Sequence, residues 1–284
     1  MREIETHVAE HYDVKGLRET ILQIAEDDLG RLQSDILEAI DEFHLGGAAA
    51  TARLIDGMGL GQGSRLLDVG CGIGGPARRA ARLLDARVTG LDLTEGFVAL
   101  AEELSDRIGE GGQTEFQQGS VLDMPFEDGE FDAAMMLHVG MNIADKPRLF
   151  AEVARVLRPG GVFAVYDVMR TSETRPQYPL PWAPNQSLSF VDTAQSYRAA
   201  AMAAGLEVVK EIDRHAEAEA FLDQMRAIAS ERKAAGQPPA PGVGMVMGAD
   251  APQKLANIGQ AIRAHHLSAI EIHFRKPGPQ ERLT

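Results

Sequence analysis

Residues 66–81 read LLDVGCGIGGPARRAA, an apolar run of strand length, four glycines within six residues and the start of a helical pattern. Glycines 70, 72 and 75 match G-x-G-x-x-G, in which a bare backbone turns tightly between a strand and a helix to approach a nucleotide. Asp92 ends the next predicted strand, 20 residues after Gly72, where a carboxylate can bond the ribose hydroxyls. The stretch therefore predicts a nucleotide-binding strand–loop–helix unit.

Asp68, two positions ahead of the first glycine, distinguishes between classes of ligand. A helix dipole and free backbone N–H groups favour a diphosphate at such a loop, and a carboxylate beside it would oppose that binding. The same carboxylate suits a ligand that has a ribose and an ammonium group but no phosphate. S-adenosylmethionine is such a ligand, and we predict it as the cofactor. In the alternative interpretation, Asp68 only caps the loop by bonding backbone N–H groups.

Predicted strands and helices alternate from residue 64 onward, which is typical of a mainly parallel sheet covered on both faces. Strands are predicted at 64–69, 86–93, 114–120, 131–139, 161–169, 206–214 and 267–277, and helices at 76–84, 95–109, 146–161 and 193–204. We therefore predict an α/β fold: a Rossmann-like, seven-stranded, mostly parallel sheet with an N-terminal helical cap and a helical insertion before the last strand.

The predicted domains are a helical cap over residues 1–60 and a cofactor-binding domain over 61–284. Spaced apolar residues with acids between them indicate amphipathic helices in the cap. The proline-rich segment 170–190 and the insertion 215–265 are predicted to enclose the substrate. Trp182 is either a wall of the substrate site or an anchor for its own loop.

Three features resemble class I S-adenosylmethionine-dependent methyltransferases. They are LLDVGCGIGG at 66–75, the acid Asp92 at the end of the second strand, and VLRPGG at 156–161. The resemblance is strong over residues 64–169 and looser elsewhere. It implies transfer of a methyl group from S-adenosylmethionine.

Within that superfamily the chain is similar to a small-molecule group. The group includes ubiquinone/menaquinone, tocopherol, sterol, sugar O- and sarcosine/dimethylglycine methyltransferases. FHLGG at 43–47 and EHYD at 10–13 resemble stretches that precede the cofactor domain there. The resemblance implies a small-molecule acceptor. Whether the protein forms a homodimer stays open.

The resemblance also implies which residues hold the cofactor. GSVLDMPFEDGEFD at 119–132 resembles the third-strand motif, whose first residues hold the adenine, although Ser120 stands where many relatives have an aspartate. The tyrosine of EHYD would close over the cofactor. The implied set is Tyr12, Asp68, Gly70, Gly72, Gly74, Asp92, Leu93, Ser120, Val121 and Leu137.

Candidate catalytic residues lie at the predicted ends of two strands and in the FHLGG stretch. His138 and Asp167 could meet as a base and its orienting carboxylate, as in the sugar O-methyltransferases that the chain resembles; this pair favours oxygen slightly over nitrogen or carbon as the acceptor. In the alternative, His138 backs the adenine and Asp167 caps a loop. His44 is the third candidate, and its alternative is a hydrogen-bonded loop histidine.

Composition excludes several function classes. The net charge of −14, from 42 acidic and 28 basic residues, disfavours nucleic acid and anionic membranes as partners. Cys71 is the single cysteine, so we expect no intrachain disulfide and a cytoplasmic protein without a signal peptide. HVAEH at 7–11 matches a metalloprotease pattern, but a third ligand is missing and we expect no metal.

Other functions stay open from the sequence alone. An NAD-linked oxidoreductase is one, because G-x-G-x-x-G is literally present. A non-catalytic binding protein that retains the cofactor fold is another. A nucleic-acid methyltransferase is disfavoured by the acidic charge.

Overall fold

The computed structural model describes residues 14–26, 32, 34–38, 40–238, 240, 244 and 247–278. Its strands are β1 Arg65–Val69, β2 Arg87–Asp92, β3 Thr114–Gln118, β4 Phe131–Leu137, β5 Leu157–Arg170, β6 Glu207–Asp213 and β7 Leu267–Arg275. They form one sheet in the order β3-β2-β1-β4-β5-β7-β6, in which β7 is antiparallel to both neighbours and the other pairs are parallel. The predicted fold class is confirmed.

Helices cover both faces of this sheet. The described helices are α1 Val14–Ala25, α2 Ser34–Glu38, α3 Gly47–Gly57, α4 Gly75–Leu84, α5 Glu95–Arg107, α6 Lys146–Val156, α7 Ala194–Ala203, α8 His215–Ala234 and α9 Ala251–Arg263. Because successive strand residues point to opposite faces, Leu66 joins the core that includes α3 and α4, and Leu67 joins the core that includes α6 and α7.

The glycine loop joins β1 to α4 by a chain path that needs glycine. Gly70, Gly72 and Gly74 have φ angles of 78°, 53° and 81°, in the left-handed region. The amides of Gly70 and Cys71 both donate to the carbonyl of Leu91, at 2.8 and 3.1 Å, which ties the loop to β2. The loop is therefore fixed at the carboxyl edge of the sheet.

The end of α6 differs from the prediction. A helix was expected over 146–161, but α6 ends at Val156 and β5 begins at Leu157. Pro159 has no N–H to continue a helix, and Gly160 has a φ of 81°. The amide of Gly160 instead donates to the carbonyl of Lys276, so this part of the motif pairs as extended chain.

The N-terminal helices pack on the outside of α5. Leu17, Ile21 and Leu37 share a buried cluster with Phe97 and Leu100. A domain boundary near residue 60 stays a prediction. No helix in the described ranges is both long and apolar enough to cross a bilayer.

Candidate functional site

A cavity lies at the carboxyl ends of β1, β2 and β4, which is where sheets of this topology bind ligands. The glycine loop and the residues that follow β2, β3 and β4 form one part of its lining. Another part is apolar and comes from the FHLGG stretch, the 170–190 segment, α8, α9 and one residue between these two helices (Phe43, Trp182, Phe221, Leu222, Met225, Leu255, Ile258 and Met247).

Most of the predicted cofactor residues line this cavity. They are Gly70, Gly72, Asp92, Leu93, Ser120, Val121 and Leu137. Gly74 does not line it: a Cβ there would lie 2.6 Å from the Phe116 ring, which indicates a packing role. Tyr12 lies outside the described residues.

Asp68 is buried behind the glycine loop and is not part of the cavity lining. The Ala77 amide, in the first turn of α4, donates a hydrogen bond to the Asp68 carboxylate. Asp68 therefore bonds a backbone N–H at the start of the helix, as the capping alternative describes. The oxygen Oδ2 has no hydrogen-bond partner among the described residues. Burial, with Asp92 and Glu42 nearby, raises the pKa of Asp68 to about 8.

Asp92 holds the glycine loop from the adjacent strand. Its Oδ2 accepts a hydrogen bond of 3.0 Å from the Gly72 amide, and its Oδ1 accepts one of 2.9 Å from the Thr94 amide. Burial raises the pKa of Asp92, and these amides act against that shift. The carboxylate is thereby oriented at the edge of the cavity.

His138 and Asp167 do not form the predicted pair. Asp167 is fully buried and its Oδ2 accepts a 2.7 Å hydrogen bond from the hydroxyl of Tyr197, on α7. His138 lines the cavity, and its ring contacts Tyr166 and His44. Tyr166 and Asp167 are consecutive in β5 and point to opposite faces, so the pairing was wrong for a geometric reason.

Tyr197→Phe is expected to lower stability without weakening cofactor binding. Burial raises the pKa of Asp167 to about 6, above the unfolded value of about 3.9, so this group costs stability as pH rises from about 4 to 6. Losing the tyrosine hydroxyl should cost about 1–3 kcal/mol at pH 8, where the carboxyl is ionised, and less at pH 5.

Urea unfolding at the two pH values measures this effect, with calorimetry of S-adenosylhomocysteine as the binding control. A variant with normal stability but lost methyl transfer would return Asp167 to the list of catalytic candidates.

His44 lies in a buried polar cluster beside the cavity. Its Nε2 is 3.2 Å from the Gly47 carbonyl oxygen and 3.0 Å from Thr51 Oγ1. Burial lowers the pKa of His44 to about 4, and burial together with the neighbouring His44 lowers the pKa of His138 well below its usual value. Both rings are therefore uncharged at neutral pH.

Residues 67–165 match a family described as a methyltransferase domain. This part of the chain is a methyltransferase domain. S-adenosylmethionine is the cofactor of this family, as predicted.

Two curated relatives match part of the chain. Sterol 24-C-methyltransferase ERG6B of Gibberella zeae is 37% identical over 118 residues, which are 42% of this chain and 31% of the relative. Cycloartenol-C-24-methyltransferase 1 of Oryza sativa subsp. japonica is 38% identical over 119 residues, 42% of this chain and 35% of the relative. The chain thus spans about a third of the length of each.

Solved structures extend the similarity beyond the methyltransferase domain. Geranyl diphosphate C-methyltransferase from Streptomyces coelicolor A3(2) has the same fold, with a TM-score of 0.68 over 97% of both chains at 17% identity. The cyclase SpnF, at 25% identity, has a TM-score of 0.64 and covers 81% of this chain and 80% of its own.

The site of the methyltransferase domain fits a cationic nucleoside ligand. The unpartnered Oδ2 of Asp68 lies outside the cavity lining, so its negative charge would act on a positive ligand from behind the glycine loop. A Cβ built on Gly72 would meet no heavy atom of the described chain within 4 Å, so this bare loop position faces open space.

The sequence did not reveal several lining residues. Asp41 lines the cavity while its Oδ2 pairs with the buried Arg78 at 2.9 Å. Phe221 and Met225 are spaced by one helical turn on α8, a pattern that predicts one helix face but not its partner. Trp182 both lines the cavity and donates to Ser189 Oγ at 2.9 Å, so its two predicted roles coexist.

Proposed function

We propose that this protein transfers the methyl group of S-adenosylmethionine to a small-molecule acceptor with a large apolar body. The bound cofactor supplies a methyl group that its sulfonium already activates. The protein must hold the acceptor in line, exclude water and take up a proton. The aromatic, leucine and methionine side chains of the lining suit an apolar acceptor.

The observation that carries the proposal is the set of buried carboxylates around the glycine loop. Burial raises the pKa of Asp41, Asp68 and Asp92 alike, so each would be stabilised in its charged form by a positive ligand. A diphosphate would bind there only if these carboxyls took up protons, because their ionised forms would repel it. This charge pattern supports the sulfonium cofactor over NAD.

The residue roles belong to this proposal. Asp92 would bond the ribose hydroxyls, and Leu93 and Leu137 would flank the nucleoside. Asp68, buried behind the glycine loop, would act on the ammonium group through its charge. Ser120 and Val121 would contact the adenine. Gly70 and Gly72 would let the backbone approach the methionine portion.

The acceptor atom is a separate question. The preference for oxygen came from the His138–Asp167 pair, which does not form. The curated relatives are named C-methyltransferases, and a carbon acceptor suits the apolar lining equally well. We therefore propose carbon as the leading acceptor, ahead of oxygen and nitrogen.

Two measurements test the function. Calorimetry should show binding of S-adenosylhomocysteine and none of NAD at matched concentrations. Incubation with methyl-labelled cofactor and a fractionated metabolite extract should then place label in an apolar fraction. Because a neighbour with this fold is named a cyclase, methyl transfer itself has to be observed. Binding of NAD alone, or a bound cofactor with no label transferred to any fraction, would contradict the proposal.

A further inference from the structure

A chain of hydrogen bonds leads from the cavity to a buried carboxylate. Thr51, in α3, donates its hydroxyl hydrogen to Oε2 of Glu42, and the His44 ring contacts the same hydroxyl through Nε2 at 3.0 Å. All three side chains are buried, and His44 lines the cavity. Arg79 donates to the other oxygen of Glu42, which holds that carboxylate in place.

These contacts decide which ring nitrogen of His44 carries the hydrogen. The Gly47 carbonyl can only accept, and the single hydroxyl hydrogen of Thr51 is directed to Glu42. Nε2 must therefore be the N–H donor to both groups, and Nδ1 carries the lone pair. Among the described residues, the hydrogen bonds of the His44 ring are made by Nε2.

The local backbone brings the three groups together. Gly46 and Gly47, with φ angles of 83° and 47°, turn the chain between His44 and the start of α3. A Cβ at Gly46 would lie 2.9 Å from the Ala50 Cβ, so this turn is closely packed. A tight turn in the FHLGG stretch thus places the neutral imidazole of His44 at the cavity, with its Nε2 hydrogen-bonded to Gly47 and Thr51.

His138 lacks a comparable arrangement. Its Nε2 is buried and has no hydrogen-bond partner among the described residues. A proton taken up by that ring would have no carboxylate to stabilise it, because Asp167 bonds Tyr197 instead. The two rings are neighbours, with centroids 5.8 Å apart, and only His44 is connected to an acid.

We propose that His44 accepts, through Nδ1, the proton that the acceptor loses during methyl transfer, and that Thr51 and Glu42 are the residues that position it. This inference rests on the proposed function. The acceptor forms a bond to the methyl carbon as the carbon–sulfur bond breaks, and the electron pair of that bond stays on sulfur. The proton released by the acceptor moves to Nδ1, while the Nε2 hydrogen shifts toward Thr51 and the Thr51 hydrogen toward Glu42.

The tautomer can be tested without knowing the acceptor. Long-range proton–nitrogen correlation spectra of protein labelled at histidine nitrogen report which nitrogen carries the hydrogen, and His44→Gln assigns the signal. We expect a single neutral Nε2–H form in the wild type and in Thr51→Ser, and a mixture of tautomers in Thr51→Val. An Nδ1–H form in the wild type, or a Thr51→Val spectrum identical to it, overturns the inference.

Single-turnover transfer to the labelled fraction tests the role in catalysis. We expect His44→Gln to slow the rate by about 10²-fold and Thr51→Val by about tenfold or more, whereas Thr51→Ser keeps most of the rate. The wild-type rate should fall as His44 becomes protonated at low pH. Glu42, Arg53, Arg79 and His138 are the titratable groups around the ring, and Tyr166 contacts its face.

Cofactor binding separates the two proposals. Calorimetry of S-adenosylhomocysteine should give the same affinity for the wild type and for Thr51→Val. Failure of the wild type to bind it counts against the proposed function. Normal binding together with an unchanged rate in Thr51→Val leaves the proposed function intact and overturns the role of the hydrogen-bond chain.

Discussion

Asp68→Asn is expected to weaken binding of S-adenosylmethionine by on the order of 10²-fold while making the protein without cofactor more stable. The asparagine keeps an oxygen for the Ala77 amide. In the proposed binding mode it no longer offers a charge to the ammonium group of the cofactor. Removing one partner of a buried charge pair typically costs about 2–5 kcal/mol of binding free energy. Calorimetry with S-adenosylmethionine measures the loss.

The gain in stability follows from the pKa of Asp68. It is about 8 in the folded chain and about 3.9 in an unfolded one, so the unfolded state binds fewer protons between those values. The unfolding free energy of the wild type should therefore fall as pH rises from about 4 to 8. Asp68→Asn removes this contribution and should be more stable by about 1–3 kcal/mol at pH 8, with little difference at pH 4.

Asp132→Asn is the matched control. Asp132 stands at the amino end of β4, on the other edge of the sheet, where it bonds the Arg65 amide at 2.8 Å and Arg158 Nε at 2.6 Å. This change should leave cofactor affinity intact and should not stabilise the chain. If Asp68→Asn bound the cofactor as tightly as the wild type, the charge argument for the sulfonium ligand would fail.

Gly70→Ala is expected to be strongly destabilising. A Cβ there would lie 2.4 Å from Cγ2 of Val139, and the φ of 78° is strained for any residue with a side chain. Overpacking costs about 1–3 kcal/mol and left-handed backbone about 1–2 kcal/mol, so together they should lower the unfolding free energy by about 3 kcal/mol. Thermal and urea unfolding measure the change.

Gly63→Ala separates the two causes. Gly63 has nearly the same φ, 76°, but a Cβ there would meet no described atom within 4 Å, so only the backbone cost applies. The double variant Gly70→Ala, Val139→Ala should recover most of the difference between the two single variants. Equal losses for Gly70→Ala and Gly63→Ala would show that the contact with Val139 does not matter.

The fold could be predicted from sequence because its signals are local. The inner strands β1, β4 and β7 are rich in apolar residues, and Pro76 marks the start of α4 directly after the glycines. The error at the end of α6 has a local cause as well. The helical spacing of apolar residues continues up to Pro159 and Gly160, and this spacing alone does not show at which residue the helix ends.

The site was predictable only where it follows from strand order. Gly70, Gly72 and Asp92 sit at strand ends, and the carboxyl ends of parallel strands share one edge. The face of the sheet to which a strand residue points depends on the register of that strand, which the sequence does not show. The sequence therefore predicts Asp167 beside His138, whereas in the structure Asp167 bonds Tyr197. The links from Glu42 to Thr51 and from Asp41 to Arg78 depend on packing between separate elements, and no sequence period encodes them.

The position of β7 has a consequence for how the chain is made. β7 follows every other strand in sequence, yet it lies between β5 and β6 and is the only strand that pairs with β6 among the described residues. While the protein is being synthesised, β6 emerges from the ribosome before any partner exists for it, and the long flank of β5 stays open. We therefore expect nascent chains that stop before residue 267 to need chaperone protection, and the sheet to close only after translation has passed that point.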